Sequence, residues 1–251
     1  MRRALAIALG LAAGATLTAA GRFQRFTERA EPGRSTRGFI GASSTGAHQL
    51  MAGLTHYWAF EGSSLDSIGG ASGTDTAIVY SSDAGVVGQG AVFDGASSKI
   101  QTLIAGPTGA TPRSISIWVR PTNGAVSVVF EYGTATAGQL FQLFRDTAST
   151  LSFSAAAVVA QTSLGFGAWV HFVVVYDGTT AYLYKNGAAP ITAVYSLNTV
   201  ASINMLFGSH AGAFFFPGAM DEVGFWDGRA LSADDVAYLY NGGAGRSLPF
   251  Q

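Results

Sequence analysis

Carboxylates come first among the residues able to do chemistry, because a glycosidic bond is cleaved by two of them flanking it. On a β-strand only residues i and i+2 share a face, so such a pair shows as alternate acids within one apolar run. This chain of 251 residues has no such run: after residue 38 its only glutamates are Glu61, Glu131 and Glu222. Asp221 and Glu222 are adjacent, and strict alternation puts them on opposite faces. Asp234 and Asp235 stand where a helix begins, a position in which acids serve the cap and the dipole. The four histidines, His48, His56, His171 and His210, have no nucleophile or metal spacing around them, and His171 lies inside an apolar run. There is no cysteine, so thiolate nucleophiles, thiolate metal sites and disulfides are all excluded. No phosphate-binding or dinucleotide fingerprint occurs. The chain reads as a non-enzyme.

Binding is the chemistry that remains. Aromatic rings in loops stack on the apolar faces of ligands while polar neighbours fix orientation. Phe214, Phe215 and Phe216 lie between Gly212 and Pro217-Gly218, outside any strand pattern. They form an exposed patch that meets a partner, a plug over the edge of the fold, or a subunit contact. Tyr80 and Tyr132 are further candidates. Trp58, Trp118, Trp169 and Trp226 fall inside strand patterns and are expected in the core.

The elements that position these residues are short apolar runs of period two separated by turn residues. Tyr57–Phe60, Ala91–Phe93, Ser114–Arg120 and Val126–Tyr132 are expected strands. Gln139–Arg145, Leu151–Ala155, Trp169–Tyr176, Ala181–Lys185, Ile203–Phe207 and Ala219–Trp226 follow. Asp177-Gly178 and Asn186-Gly187 are hairpin dipeptides. One helix is expected at Ser232–Tyr240, opened by a Ser232/Asp235 capping box and closed by Asn241-Gly242. The count is about a dozen strands of ordinary length, which must pack as two antiparallel sheets. Composition agrees: 48% hydrophobic and 12% charged residues fill a large core, and 33 glycines supply turns.

Charge divides the chain. Residues 1–37 carry seven arginines against two glutamates, a balance of +5, and the remainder carries 7 basic and 13 acidic residues, a balance of −6. An acidic body argues against nucleic acid as partner. Met1-Arg2-Arg3 followed by Ala4–Ala20 matches a secretory signal cleaved near Ala20. The run is too short and too rich in Ala and Gly for a membrane span. Gly10 and Gly14, four apart, give a second reading, a retained arm whose helix packs in an oligomer. Residues 21–50 read as a linker, so the division expected is a signal-like or anchoring arm at 1–50 and a sandwich domain at 51–251.

Five segments in this order resemble the laminin G-like, concanavalin A-like lectin/glucanase family. They are Tyr57-Trp58-Ala59-Phe60-Glu61-Gly62 with Asp66-Ser67-Ile68-Gly69-Gly70; Gly88-Gln89-Gly90-Ala91-Val92-Phe93-Asp94-Gly95; and Ser114–Pro121. The other two are Trp169–Gly178 with Leu183–Gly187, and Met220–Trp226 with Ala230–Val236. The resemblance covers about residues 54–245 and implies an all-β, two-sheet jelly roll with one short C-terminal helix. It also implies a calcium site, with Asp221 of the closing strand and Asp94 of a turn as ligands, since hard oxygen donors suit that ion. The alternative for these two acids is an Asx-turn at Asp94 and an ion pair at Asp221.

Together these observations lead to a non-catalytic binding or adhesion module, displayed outside the cell or on a virion surface, that recognises a glycan or a protein. The other reading is a structural component of a larger assembly, such as a phage capsid decoration or tail protein, held to neighbouring subunits through residues 1–45.

Overall fold

The computed structural model describes residues 49–250, apart from 71 and 148. The signal-peptide, arm and subunit-contact expectations for residues 1–48 lie outside the described residues.

Fifteen strands follow in chain order: β1 (Leu54–Trp58), β2 (Thr74–Thr76), β3 (Val79–Ser81), β4 (Gly90–Asp94), β5 (Lys99–Gln101), β6 (Arg113–Pro121), β7 (Ser127–Gly133), β8 (Leu140–Thr147), β9 (Thr150–Ser154), β10 (Val158–Ser163), β11 (Val170–Tyr176), β12 (Thr180–Lys185), β13 (Ile191–Val194), β14 (Ile203–Phe207) and β15 (Pro217–Asp227). Helix α1 (Ala233–Tyr240) comes last. The strands form two antiparallel sheets. One runs β13-β12-β11-β6-β15-β4-β3, with β1 also on β15, and the other runs β10-β9-β8-β7-β14-β5-β2.

Alternation decides what each face carries. In β6, Ile115, Ile117 and Val119 enter the core between the sheets, and Ser114, Ser116 and Trp118 face outward. The inter-sheet core is dense in aromatic rings, including Trp58, Phe130, Tyr132, Phe141, Phe153, Phe207 and Phe225. A second cluster lies on the outer face of the eight-stranded sheet. There Val236 and Leu239 of α1 pack with Tyr57, Val173, Val175 and Trp226. The capping box opens α1 as expected, with Ser232 Oγ accepting from Asp235 N–H, and Asn241 closes it in a left-handed conformation at φ 50°.

The sequence reading missed β2, β3, β5, β10 and β13, which have three to six residues and are mostly exposed or half-buried. Strands this short, four of them at sheet edges, carry too little apolar pattern to be seen. Leu50 is fully buried in the second cluster, its carbonyl accepts from Trp226 Nε1–H at 2.8 Å, and Arg229 holds the Gln49 and Ala52 carbonyls.

Candidate functional site

The outer face of the seven-stranded sheet is built by the same alternation. In β7, Phe130 and Tyr132 enter the core and Glu131 turns outward. In β8, Gln142 turns outward between Phe141 and Leu143, and in β9 Ser152 and Ser154 do so around Phe153. The register aligns Gln101, Leu206, Glu131, Gln142 and Ser154 as one row across five strands. This row is the floor of the site.

The loop from 208 to 216 supplies its upper layer. His210 and Ala213 exchange both backbone hydrogen bonds, at 2.8 and 2.7 Å, around Ala211 (φ 47°) and Gly212 (φ 77°). That is a tight turn of the hairpin type. The loop is seated by Gly208, where a Cβ would stand 2.4 Å from the Phe93 ring, and by Val128 N–H donating to the Phe214 carbonyl at 2.9 Å. Phe214 has φ 52°, a left-handed conformation that costs a bulky residue on the order of 1 kcal/mol. Its ring is 49% exposed, and it meets Phe144 edge-on at 6.2 Å and His210 at 6.4 Å.

His210 joins the two layers. Its Nδ1 is 2.9 and 2.8 Å from the two Glu131 carboxylate oxygens, and Gln142 Nε2 donates to Oε2 at 2.7 Å. The Glu131 side chain has no exposure and that of His210 has 26%. Burial pushes the Glu131 carboxyl above its usual range, against the opposing hydrogen bond and charge of His210. The result is a shelf: an exposed aromatic ring beside an imidazole about a quarter exposed, over a buried and fully engaged carboxylate.

Of the aromatic residues singled out from sequence, only Phe214 presents a ring on this shelf. Phe215 is half-buried. Phe216 is fully buried in the core, edge-on to Phe93, because the chain after the strained residue re-enters the sandwich to start β15. Tyr132 is buried too. Its ring stacks on Phe141 at 5.3 Å and its hydroxyl accepts from Arg113 Nη1 at 2.8 Å, so no ring face is left for a ligand. Tyr80, half-buried, belongs to β3 of the other sheet and donates to Asp75 Oδ2 at 2.7 Å. Among the tryptophans, Trp169 departs from the expected core position. It precedes β11 and is half-buried, with the Arg120 guanidinium 5.0 Å above its ring. Sequence reasoning passed over Glu131, Gln142, Phe144 and His210. Their only local signal is a polar residue at an outward position of an apolar strand.

Asp94 and Asp221 do not fit one calcium ion. Asp94 is opposite Pro217 in the β4–β15 register, four positions from Asp221, or about 13 Å along a strand. Each carboxylate is occupied by N–H donors. Asp94 accepts from Ala96, Ser97 and Ser98, which closes an Asx-type turn and lowers its pKa. Asp221 accepts from Val86 at 2.6 Å, Val87 at 3.0 Å and Glu222 at 2.9 Å. No arginine pairs with it among the described residues. No cluster of three or more His, Asp or Glu with metal-binding geometry exists among the described residues.

The Asp221-Glu222 pair also departs from strict alternation. Met220 and Val223, three apart, both enter the core, because β15 carries a bulge against β6 and Glu222 sits in it at φ 50°. Burial pushes Asp221 up to about 7 and Glu222 up to about 9, and neither Glu222 oxygen has a hydrogen-bond partner.

Residues 94–237 match the family described as the concanavalin A-like lectin/glucanases superfamily. The match spans more than half of the chain, and the chain belongs to that family. No curated protein matches the sequence. Among solved structures, domain 4 of AbnA, a GH43 extracellular arabinanase from Geobacillus stearothermophilus in complex with arabinotriose, is similar. The TM-score is 0.59 at 22% identity, covering 73% of this chain and 96% of that one. The botulinum neurotoxin type G receptor-binding domain gives 0.55 at 12% identity over 75% of this chain and 51% of that one. A mutant Trypanosoma rangeli sialidase displaying trans-sialidase activity gives 0.59 at 14% identity, with 78% and 34% covered. This chain thus spans about half and about a third of the latter two. At these identities the shared property is the fold.

Proposed function

We propose that the chain is a non-catalytic glycan-binding module, displayed outside the cell, whose ligand docks on the shelf made by Phe214, Phe144 and His210. The observation that carries this reading is the exposed Phe214 ring, held out by a strained backbone next to an imidazole that is oriented from below by a buried carboxylate. Strain of this kind persists where the surroundings over-determine it, and it concentrates at binding sites. Sugar rings stack their C–H faces on aromatic rings while side-chain polar groups take the hydroxyls. Two neighbours in fold, an arabinanase domain bound to arabinotriose and a toxin receptor-binding domain, support a binding role. Glycoside hydrolysis asks for two carboxyl groups facing one bond, and on this shelf Glu131 is buried and already engaged by His210 and Gln142. The test is a glycan array probed with the full chain, arabino-oligosaccharides included. Retention of a saccharide by the wild type and its loss in Phe214→Ala is the expected result. Equal retention by both proteins places the ligand elsewhere.

A further inference from the structure

Resting on that reading of the shelf, we propose that the His210–Glu131 pair sets its charge specificity: uncharged saccharides are accepted across the pH range, and acidic saccharides only after the pair takes up one proton. When Glu131 is ionised it can only accept hydrogen bonds, so His210 Nδ1, 2.8–2.9 Å from both Glu131 oxygens, then carries the proton between them. In the neutral ring the other nitrogen, Nε2, is then a bare acceptor. The pair carries one negative charge.

One more proton changes this in either of two ways. If it stays on the imidazole, Nε2 becomes an N–H donor beside an ionised Glu131. If Glu131 is the protonated partner and donates to Nδ1, the ring must carry its hydrogen on Nε2. Both assignments have the same proton count, and both turn Nε2 from acceptor to donor while the pair becomes neutral overall.

The consequence for a ligand is asymmetric. A saccharide hydroxyl both donates and accepts, so it satisfies Nε2 in either state. A uronate or sulfate oxygen only accepts. Above the transition it meets a lone pair and a net negative charge, and below the transition it meets a donor with no net charge opposing it. Among the described residues, the other charged groups at outward positions of this sheet are Asp146, which accepts from Ser152 Oγ at 2.7 Å, and Lys99 of β5. Among the described residues His210 is the only basic side chain bonded to Glu131, so the switch belongs to this pair.

The experiment measures binding of arabinotriose and of a trimer of a uronic acid, whose carboxylates stay ionised throughout, to the full chain at pH 8 and pH 5. Arabinotriose is expected to bind at both values within about threefold, and the uronate to gain about tenfold or more on acidification, the size of one charge-assisted hydrogen bond. In His210→Gln, whose amide does not titrate, the ratio of the two affinities is expected to be the same at both pH values, and Glu131→Gln is expected to reduce the change. Arabinotriose binding that is lost in Phe214→Ala, together with a uronate affinity that does not move with pH, overturns this inference and leaves the binding reading standing. If the wild type binds neither trisaccharide nor any array glycan, both fall.

Discussion

The two outer faces of the sandwich carry one histidine each in a buried-polar setting, and their fates differ. His171, on the eight-stranded sheet, is 1% exposed and stacks on Trp118 at 4.9 Å and on Tyr240 at 6.1 Å. Its Nε2 meets Ser116 Oγ at 2.8 Å, its Nδ1 has no partner, and burial pushes its pKa down to about 3. His210, on the seven-stranded sheet, keeps a quarter of its side chain in solvent and faces a carboxylate. The difference is the cover. Helix α1 and Leu50 turn the first face into a second core, whereas α1 does not pack on the other face, which has a strained loop at its edge. A covered polar group becomes inert, and an uncovered one stays available to a ligand.

Four measurements break or sharpen this contrast. The largest effect is expected from Trp226→Ala on the covered face, which removes a fully buried ring and its hydrogen bond to Leu50. Urea unfolding is expected to show a loss of about 3–5 kcal/mol, and a loss below about 1 kcal/mol would show that the second cluster is not a core.

Next is Glu222→Gln, in the bulge of the covered sheet. Burial holds the folded carboxyl at about 9, against an ordinary value of 4.5. Its contribution is therefore complete below pH 4.5 and is lost as pH rises towards 9. The variant is expected to be more stable than the wild type at pH 8, by several kcal/mol, with little difference at pH 4. A variant less stable at pH 8 would mean that the carboxylate has a partner.

His171 has the opposite sign. Burial holds its folded pKa below the ordinary value of 6.5, so the unfolded chain takes up a proton that the folded one refuses, and stability falls as pH drops from 6.5 towards 3. The cost by pH 5 is about 2 kcal/mol. His171→Phe is expected to remove that part of the slope in a series of urea midpoints. An unchanged slope would show that the covered face admits a charged ring.

The smallest stability effect is expected on the face that α1 does not cover. Phe214→Ala is expected to move the unfolding free energy by less than about 1 kcal/mol while abolishing saccharide capture. A large loss of stability there would make Phe214 a plug and that face a second covered one.

Much of the fold was legible because its signals are local. Ile115, Ile117 and Val119 alternate within one strand, Ser232 and Asp235 are one helical turn apart, and Asn186-Gly187 (φ 51° and 68°) is a hairpin turn in itself. The site was legible only in part. Phe214 was singled out as a loop aromatic, but Phe216, two residues later and chemically identical, is core, and nothing local separates them. Tyr132 looked like Tyr80 in sequence, and burial against Phe141 and Arg113 set it apart.

The sequence by itself determined the two-sheet sandwich, the capped helix and the outward turn of Glu131 and Gln142, since a period of two depends only on neighbours along the chain. Tertiary structure alone decided that Glu131, Gln142, His210 and Phe214 meet, because strand register brings together residues up to 83 positions apart. It also decided which outer face the helix covers. That docking follows the summed apolar area of a whole face, which no short stretch of sequence records.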